Sequence, residues 1–232
     1  GVPTGATTVY MASALCNAFG ANSAYAVQNT TSSPVDVTVN YSSGETDQAT
    51  IQAGAKNSFQ TCAVNDAGYS GSATITATGD IVAIGKVFGS GNSTAFIGAA
   101  NGAEKLALPY VRFTTANWDN GTRQRTYIAI QNIGAPLAAD AVTVRYLDQN
   151  GNEVGTHTLG AMATGAKLNS FAADPNVVGN AADLEEFGYI GGFGGSVIVE
   201  GPSGSQLVAV ARVQSKTSTG VVGEDFSGIP ID

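Results

Sequence analysis

The strongest constraint on the fold of this chain is that it contains itself twice. Ala26-Val27-Gln28-Asn29 returns as Ala129-Ile130-Gln131-Asn132, and Val37-Thr38-Val39-Asn40-Tyr41 as Val142-Thr143-Val144-Arg145-Tyr146. Gly54-Ala55-Lys56-Asn57-Ser58-Phe59 returns, with one insertion, as Gly165-Ala166-Lys167-Leu168-Asn169-Ser170-Phe171. Gly71-Ser72, Ile81 to Val87 and Ser93-Thr94 to Gly98 find counterparts in Gly195-Ser196, Leu207 to Val213 and Ser218-Thr219 to Gly223. Six blocks in the same order are hard to produce by chance; the chain is a tandem duplication.

The repeated blocks are also the clearest strand signals. Val35, Val37, Val39 and Tyr41 alternate with Asp36, Thr38 and Asn40, the period of two of a half-buried strand. Asn150-Gly151 predicts a type I′ hairpin turn leading into Glu153 to His157. Ile81 to Val87 and Leu207 to Val213 are apolar on both faces, as buried central strands are. Turn residues recur at short intervals, so the expectation is an all-β chain of two tandem Greek-key or immunoglobulin-like β-sandwiches. One short helix is expected in the second copy, over 181–187, capped by Asn180 and closed by Gly188. The boundaries read as an N-terminal strand segment over 1–15, a first sandwich over 16–103 and a second over 104–232, with a small-residue linker near Ala99 to Ala103.

Charged residues make up 12% of the 232 positions, with thirty glycines and many hydroxyl and amide side chains in their place. That is a surface for turns and short strands, not for long helices. The net charge of −8 argues against nucleic acid and anionic membranes as partners. Residues 1–103 hold two basic and five acidic side chains (−3), and residues 104–232 hold eight and thirteen (−5), so neither half is a charged module. No apolar run is long enough to span a bilayer, and the start at Gly1 reads as a processed N-terminus. Cys16 and Cys62 are the only cysteines; without CxxC spacing and with a single histidine they fit no zinc site. They are expected to form a disulfide, which favours an oxidising compartment.

Chemistry is sparse. His157 is the sole histidine and reads as an exposed strand residue. Asp183, Glu185 and Glu186 share the expected helix instead of facing one another across a cleft, as glycosidase acids do. Asp148, Asn150 and Asn152 begin like a calcium loop, but Gly151 is misplaced and Leu159 stands where the bidentate acid belongs. Trp118 and Tyr110 are the candidate ring-stacking pair for a sugar. No catalytic group, metal site or cofactor site is expected.

The N-terminal segment has no evident counterpart in the second copy. Thr7-Thr8-Val9-Tyr10-Met11-Ala12 is strongly strand-forming and must pair with something. Two readings stay open: an edge strand of its own domain, or a strand donated to a neighbouring copy, which would propagate into a filament.

The repeat resembles a domain family of secreted and surface proteins in filamentous bacteria such as the Chloroflexota. The matching residues are Leu108-Pro109, Trp118, Ile130-Gln131-Asn132, Val142 to Gly151, Gly195 to Val199 and Leu207 to Val213. The resemblance implies an immunoglobulin-like fold and a cell-surface location. The first copy lacks the tryptophan and the long hairpin turn and adds the cysteine pair. Together these readings lead to a non-enzymatic extracellular structural protein, a self-assembling filament or sheath subunit whose partner is itself. The alternative is an adhesin or glycan-binding module.

Overall fold

The computed structural model describes residues 5–89, 91–114, 123–181, 193–217 and 219–232. The chain divides into two compact units: Gly1–Asn101 with Gly165–Lys167, and Gly102–Thr164 with Leu168–Asp232. Both are all-β.

Unit 1 holds β1 (Ala6–Cys16), β2 (Asn22–Asn29), β3 (Val35–Tyr41), β4 (Thr46–Ile51), β5 (Lys56–Gln60), a 3-10 turn over Thr61–Ala63, β6 (Tyr69–Gly89) and β7 (Asn92–Ile97). The 21-residue β6 organises them. Its first part pairs with β1 on one side and β3 on the other, Met11 and Tyr41 both lying opposite Ala73. Its second part pairs with β2 and β7, as in Val27↔Ala83 and Lys86↔Ala95. With β4 on β3 and β5 on β2, one strand runs through two layers, β4-β3-β6-β1 and β5-β2-β6-β7. Their apolar faces meet. Fully buried Tyr25 of β2 stacks on Tyr41 of β3, centroids 6.2 Å apart, and donates its hydroxyl to the Ser13 carbonyl of β1.

Unit 2 holds β8 (Lys105–Phe113), β9 (Arg123–Asn132), β10 (Thr143–Leu147), β11 (Glu153–Thr158), β12 (Lys167–Ser170), β13 (Val177–Gly179), β14 (Phe193–Glu200), β15 (Leu207–Lys216), β16 (Val221–Ser227) and β17 (Ile229–Pro230). One layer runs β13-β11-β10-β14-β8-β17 and the other β12-β9-β15-β16, meeting where Phe113 pairs Arg125. The registers repeat those of unit 1. Val39↔Ile75 and Tyr41↔Ala73 return as Val144↔Val199 and Tyr146↔Val197, and Val27↔Ala83 returns as Ile130↔Ala209.

Four readings of the sequence need correction. The N-terminal segment does have a counterpart, β8. Leu106 and Leu108 pair Val199 and Val197 as Val9 and Met11 pair Ile75 and Ala73, with a register shift following in each. Both strands also meet the returning chain at the same place, Tyr10 at Ala99 and Ala107 at Ile229. The final repeat block shifts: Lys86↔Ala95 corresponds to Arg212↔Asp225, so Ser93 matches Gly223, because the turn Thr217–Gly220 lengthens that hairpin. The Asn150-Gly151 turn is not type I′, since only Gly151 takes a positive φ, at 85°; the glycine closes a bulged loop hydrogen-bonded to Asp148. Leu207 to Ala211 are buried on both faces, but in β6 Ile84 is 49% exposed. Apart from Ala181, the helix expected over 181–187 lies outside the described residues.

The structure also explains why the repeat ends a strand in asparagine. Asn29 and Asn132 are fully buried. Asn29 donates to the Ser33 and Ile51 carbonyls and accepts from the Thr31 N–H; Asn132 donates to Ala135 and Met162 and accepts from Gly134. Each amide thus satisfies a loop backbone that would otherwise be buried without partners. Asn29→Ala or Asn132→Ala should each cost about 2–3 kcal/mol of unfolding free energy in urea titrations. Gly98 and Gly228 provide a second test, each donating its N–H to an equivalent alanine carbonyl, Ala83 and Ala209. A Cβ on Gly98 would run into Val9 Cγ1 and the Met11 sulfur, whereas one on Gly228 meets Ala209 and Leu106 at 3.3 Å. Gly98→Ala should therefore destabilise by about 1–3 kcal/mol and Gly228→Ala by clearly less, read from the shift in melting temperature.

Candidate functional site

The cysteine pair is joined. Cys16 closes β1 onto Cys62 in the 3-10 turn, Cα atoms 4.9 Å apart. Bridging a separation of 46 residues contributes about 4 kcal/mol by restricting the unfolded chain.

Thr7, Thr8, Val9, Tyr10, Met11 and Ala12 all lie in β1, paired with β6 of the same chain. Val9, Met11 and Ala12 face the core, while Thr7 is exposed and Thr8 and Tyr10 half-buried. Glycines clear the space they fill: Gly85 and Gly98 lie where any side chain would strike Met11.

Tyr110 is not an open platform. The Arg112 guanidinium lies 5.1 Å over its ring, and Phe226 meets it edge-on at 6.4 Å. Trp118 lies outside the described residues, as do Asp183, Glu185 and Glu186.

His157 is buried, not exposed. In β11 it stands directly opposite core residue Val144 and therefore faces inward. Its Nδ1 lies 2.9 Å from Ser170 Oγ, which is also 2.7 Å from the Tyr146 hydroxyl, while Asp174 Oδ1 is 3.9 Å from Nε2. Serine, histidine and aspartate in a row resemble a hydrolase triad, but the arrangement is unsuited to that chemistry. Ser170 is fully buried and its oxygen is shared with Tyr146, so no substrate carbonyl can reach it. Burial pushes the His157 pKa down, opposed by nearby Asp174, and pushes the Tyr146 phenol far up. Tyr146, Ser170 and His157 form a buried hydrogen-bonded network that fixes β10, β11 and β12 together.

Asp148 accepts from the Asn150 and Asn152 N–H groups and from the Asn152 side chain, which hold its carboxyl below the usual range. These bonds make it the clasp of a turn. Among the described residues no cluster of His, Cys, Asp and Glu is placed to hold a metal, and no helix is long and apolar enough to cross a membrane.

No known family model matches the chain, and no curated protein matches it. Among solved structures it is similar to the α-L-rhamnosidase of Streptomyces avermitilis complexed with L-rhamnose, at 8% identity and a TM-score of 0.23, over 99% of this chain and 28% of that one. It is also similar to the C-terminal domain of the Streptococcus pyogenes antigen I/II-family protein AspA, at 11% identity and a TM-score of 0.17, over 88% and 84%. Neither superposition is close enough to carry an argument.

The His157 network gives a pH test. A histidine whose pKa is depressed on folding binds its proton more readily when unfolded, so its contribution is complete above the ordinary value of 6.5 and is lost below it. Unfolding free energy should fall as the pH drops below about 6.5, and His157→Gln should remove that part of the slope in denaturant titrations across this range.

Proposed function

We propose that the chain is a non-enzymatic structural protein of an extracellular, oxidising setting, whose copies join by exchanging the first half of β1. The observation that carries this reading is how β1 is held. Its second half, Ala14 to Cys16, is pinned by pairing with Tyr69 to Gly71 and by the disulfide. Its first half, Ala6 to Met11, is set off by the register shift between Met11 and Ala14. Released from β6, it leaves a groove that on another copy offers the same partners, Ile75 and Ala73. The disulfide supports the oxidising setting. The sealed Ser170–His157 pair supports a scaffold role over hydrolysis.

Electron microscopy of the purified chain tests this, beside a variant lacking residues 1–13 and the double variant Thr8→Cys/Thr76→Cys. Thr8 and Thr76 are paired residues, so a bond between them locks β1 in place without removing core side chains. Filaments are expected from the unmodified chain and from neither variant. Dispersed unmodified protein, or filaments from the locked variant, would rule strand exchange out.

A further inference from the structure

The chain has ten basic side chains against eighteen acidic ones, and the β9–β15 ladder puts two of them directly face to face. Lys216 is the register partner of Arg123, followed by Gln214 opposite Arg125 and Arg212 opposite Tyr127. Thr126 and Ile128 point into the core, so the alternating Arg123, Arg125 and Tyr127 lie on the outer face. Arg212 is committed to Asp225 through two bonds of 2.9 Å. Arg125 is positioned by the Thr114 carbonyl and the Phe113 ring. Arg123 and Lys216 form no ion pair among the described residues. Like charges opposite one another in a sheet are destabilising.

The fold does not require this pair. By the shared registers Arg123 and Lys216 correspond in sequence to Gly20 and Ser90 of the first copy, so the repeat does not call for two cations there. From this contrast we infer that the outer face of β9 and β15 is a docking surface for an acidic polysaccharide, carboxylated or sulfated. An anionic group seated between Arg123 and Lys216 relieves their repulsion. Tyr127, 37% exposed, packs one side against Phe171 at 5.5 Å and leaves the rest of its ring along the same face, and Gln214 alternates onto that face from β15. Charge density favours a sugar chain over nucleic acid. Duplex DNA carries a charge about every 1.7 Å, and the net −5 of residues 104–232 repels so dense an anion beyond the patch. A polysaccharide with one acid per sugar places its charges about as far apart as the roughly 5 Å and 7 Å spacings of cross-strand and same-strand neighbours.

The inference is independent of strand exchange and is tested in the locked Thr8→Cys/Thr76→Cys background, which serves as the unmodified chain below and keeps the protein dispersed. Calorimetric titration with oligogalacturonate and with chondroitin sulfate compares the unmodified chain, Arg123→Gln/Lys216→Gln, and the control Lys56→Gln/Lys86→Gln, which removes the same charge from unit 1. The unmodified chain and the control should bind at least one polymer, more weakly as salt rises, and the Arg123/Lys216 variant should bind about tenfold or more weakly. Without ligand that variant should melt no lower than the unmodified chain, because it loses a repulsion. The inference is overturned if neither polymer binds, if both double variants lose binding equally, if duplex DNA binds as tightly as the sugars, or if the Arg123/Lys216 variant melts clearly lower.

Discussion

Unit 1 depends on the backbone ladder of one strand. β1, β2, β3 and β7 all pair with β6, and β4 and β5 reach it through a single neighbour. Because β6 passes from one layer to the other, its register sets both layers at once. Any slip of one residue would turn the inward alternation of Ala73, Ile75, Ile81 and Ala83 outward. Unit 2 divides the same work between β14 and β15, with a hairpin-like link over 201–206 that unit 1 does without.

The two units finish the same fold by different means. Working from the shared registers, Cys16 opposite Tyr69 corresponds to Phe113 opposite Phe193. Where unit 1 closes that strand end with a disulfide, unit 2 closes it with a ring, Phe113 stacked on Phe171 at 6.2 Å. A covalent bond and an aromatic contact thus close the same strand end with different partners, which suits a fold defined by pairing and apolar volume more than by particular residues.

That tolerance decides how much of the structure the sequence made legible. The Val-Thr-Val-x-Tyr and Gln-Asn blocks were readable because strand alternation and a buried asparagine restrict which residues fit. β1 was not matched to β8 because Val9 and Met11 need only be apolar to replace Leu106 and Leu108. His157 was legible and misread: the expected Asn150-Gly151 turn already sets Val144 opposite it, and opposed residues share a face. The Ser170 contact and the Arg123–Lys216 pair were beyond reach, since each depends on strands brought together by tertiary pairing.

The position of the disulfide within β1 has a mechanical consequence. Load applied at the N-terminus peels β1 from β6, and the peeling stops at Cys16, where tension crosses covalently to Cys62. The part of unit 1 released is limited to β1 itself, Ala6–Cys16, about 35 Å of extended strand. β2, β3, β4 and β5 lie between the two cysteines and are bypassed, so half of unit 1 is shielded from a pull that reaches everything after it.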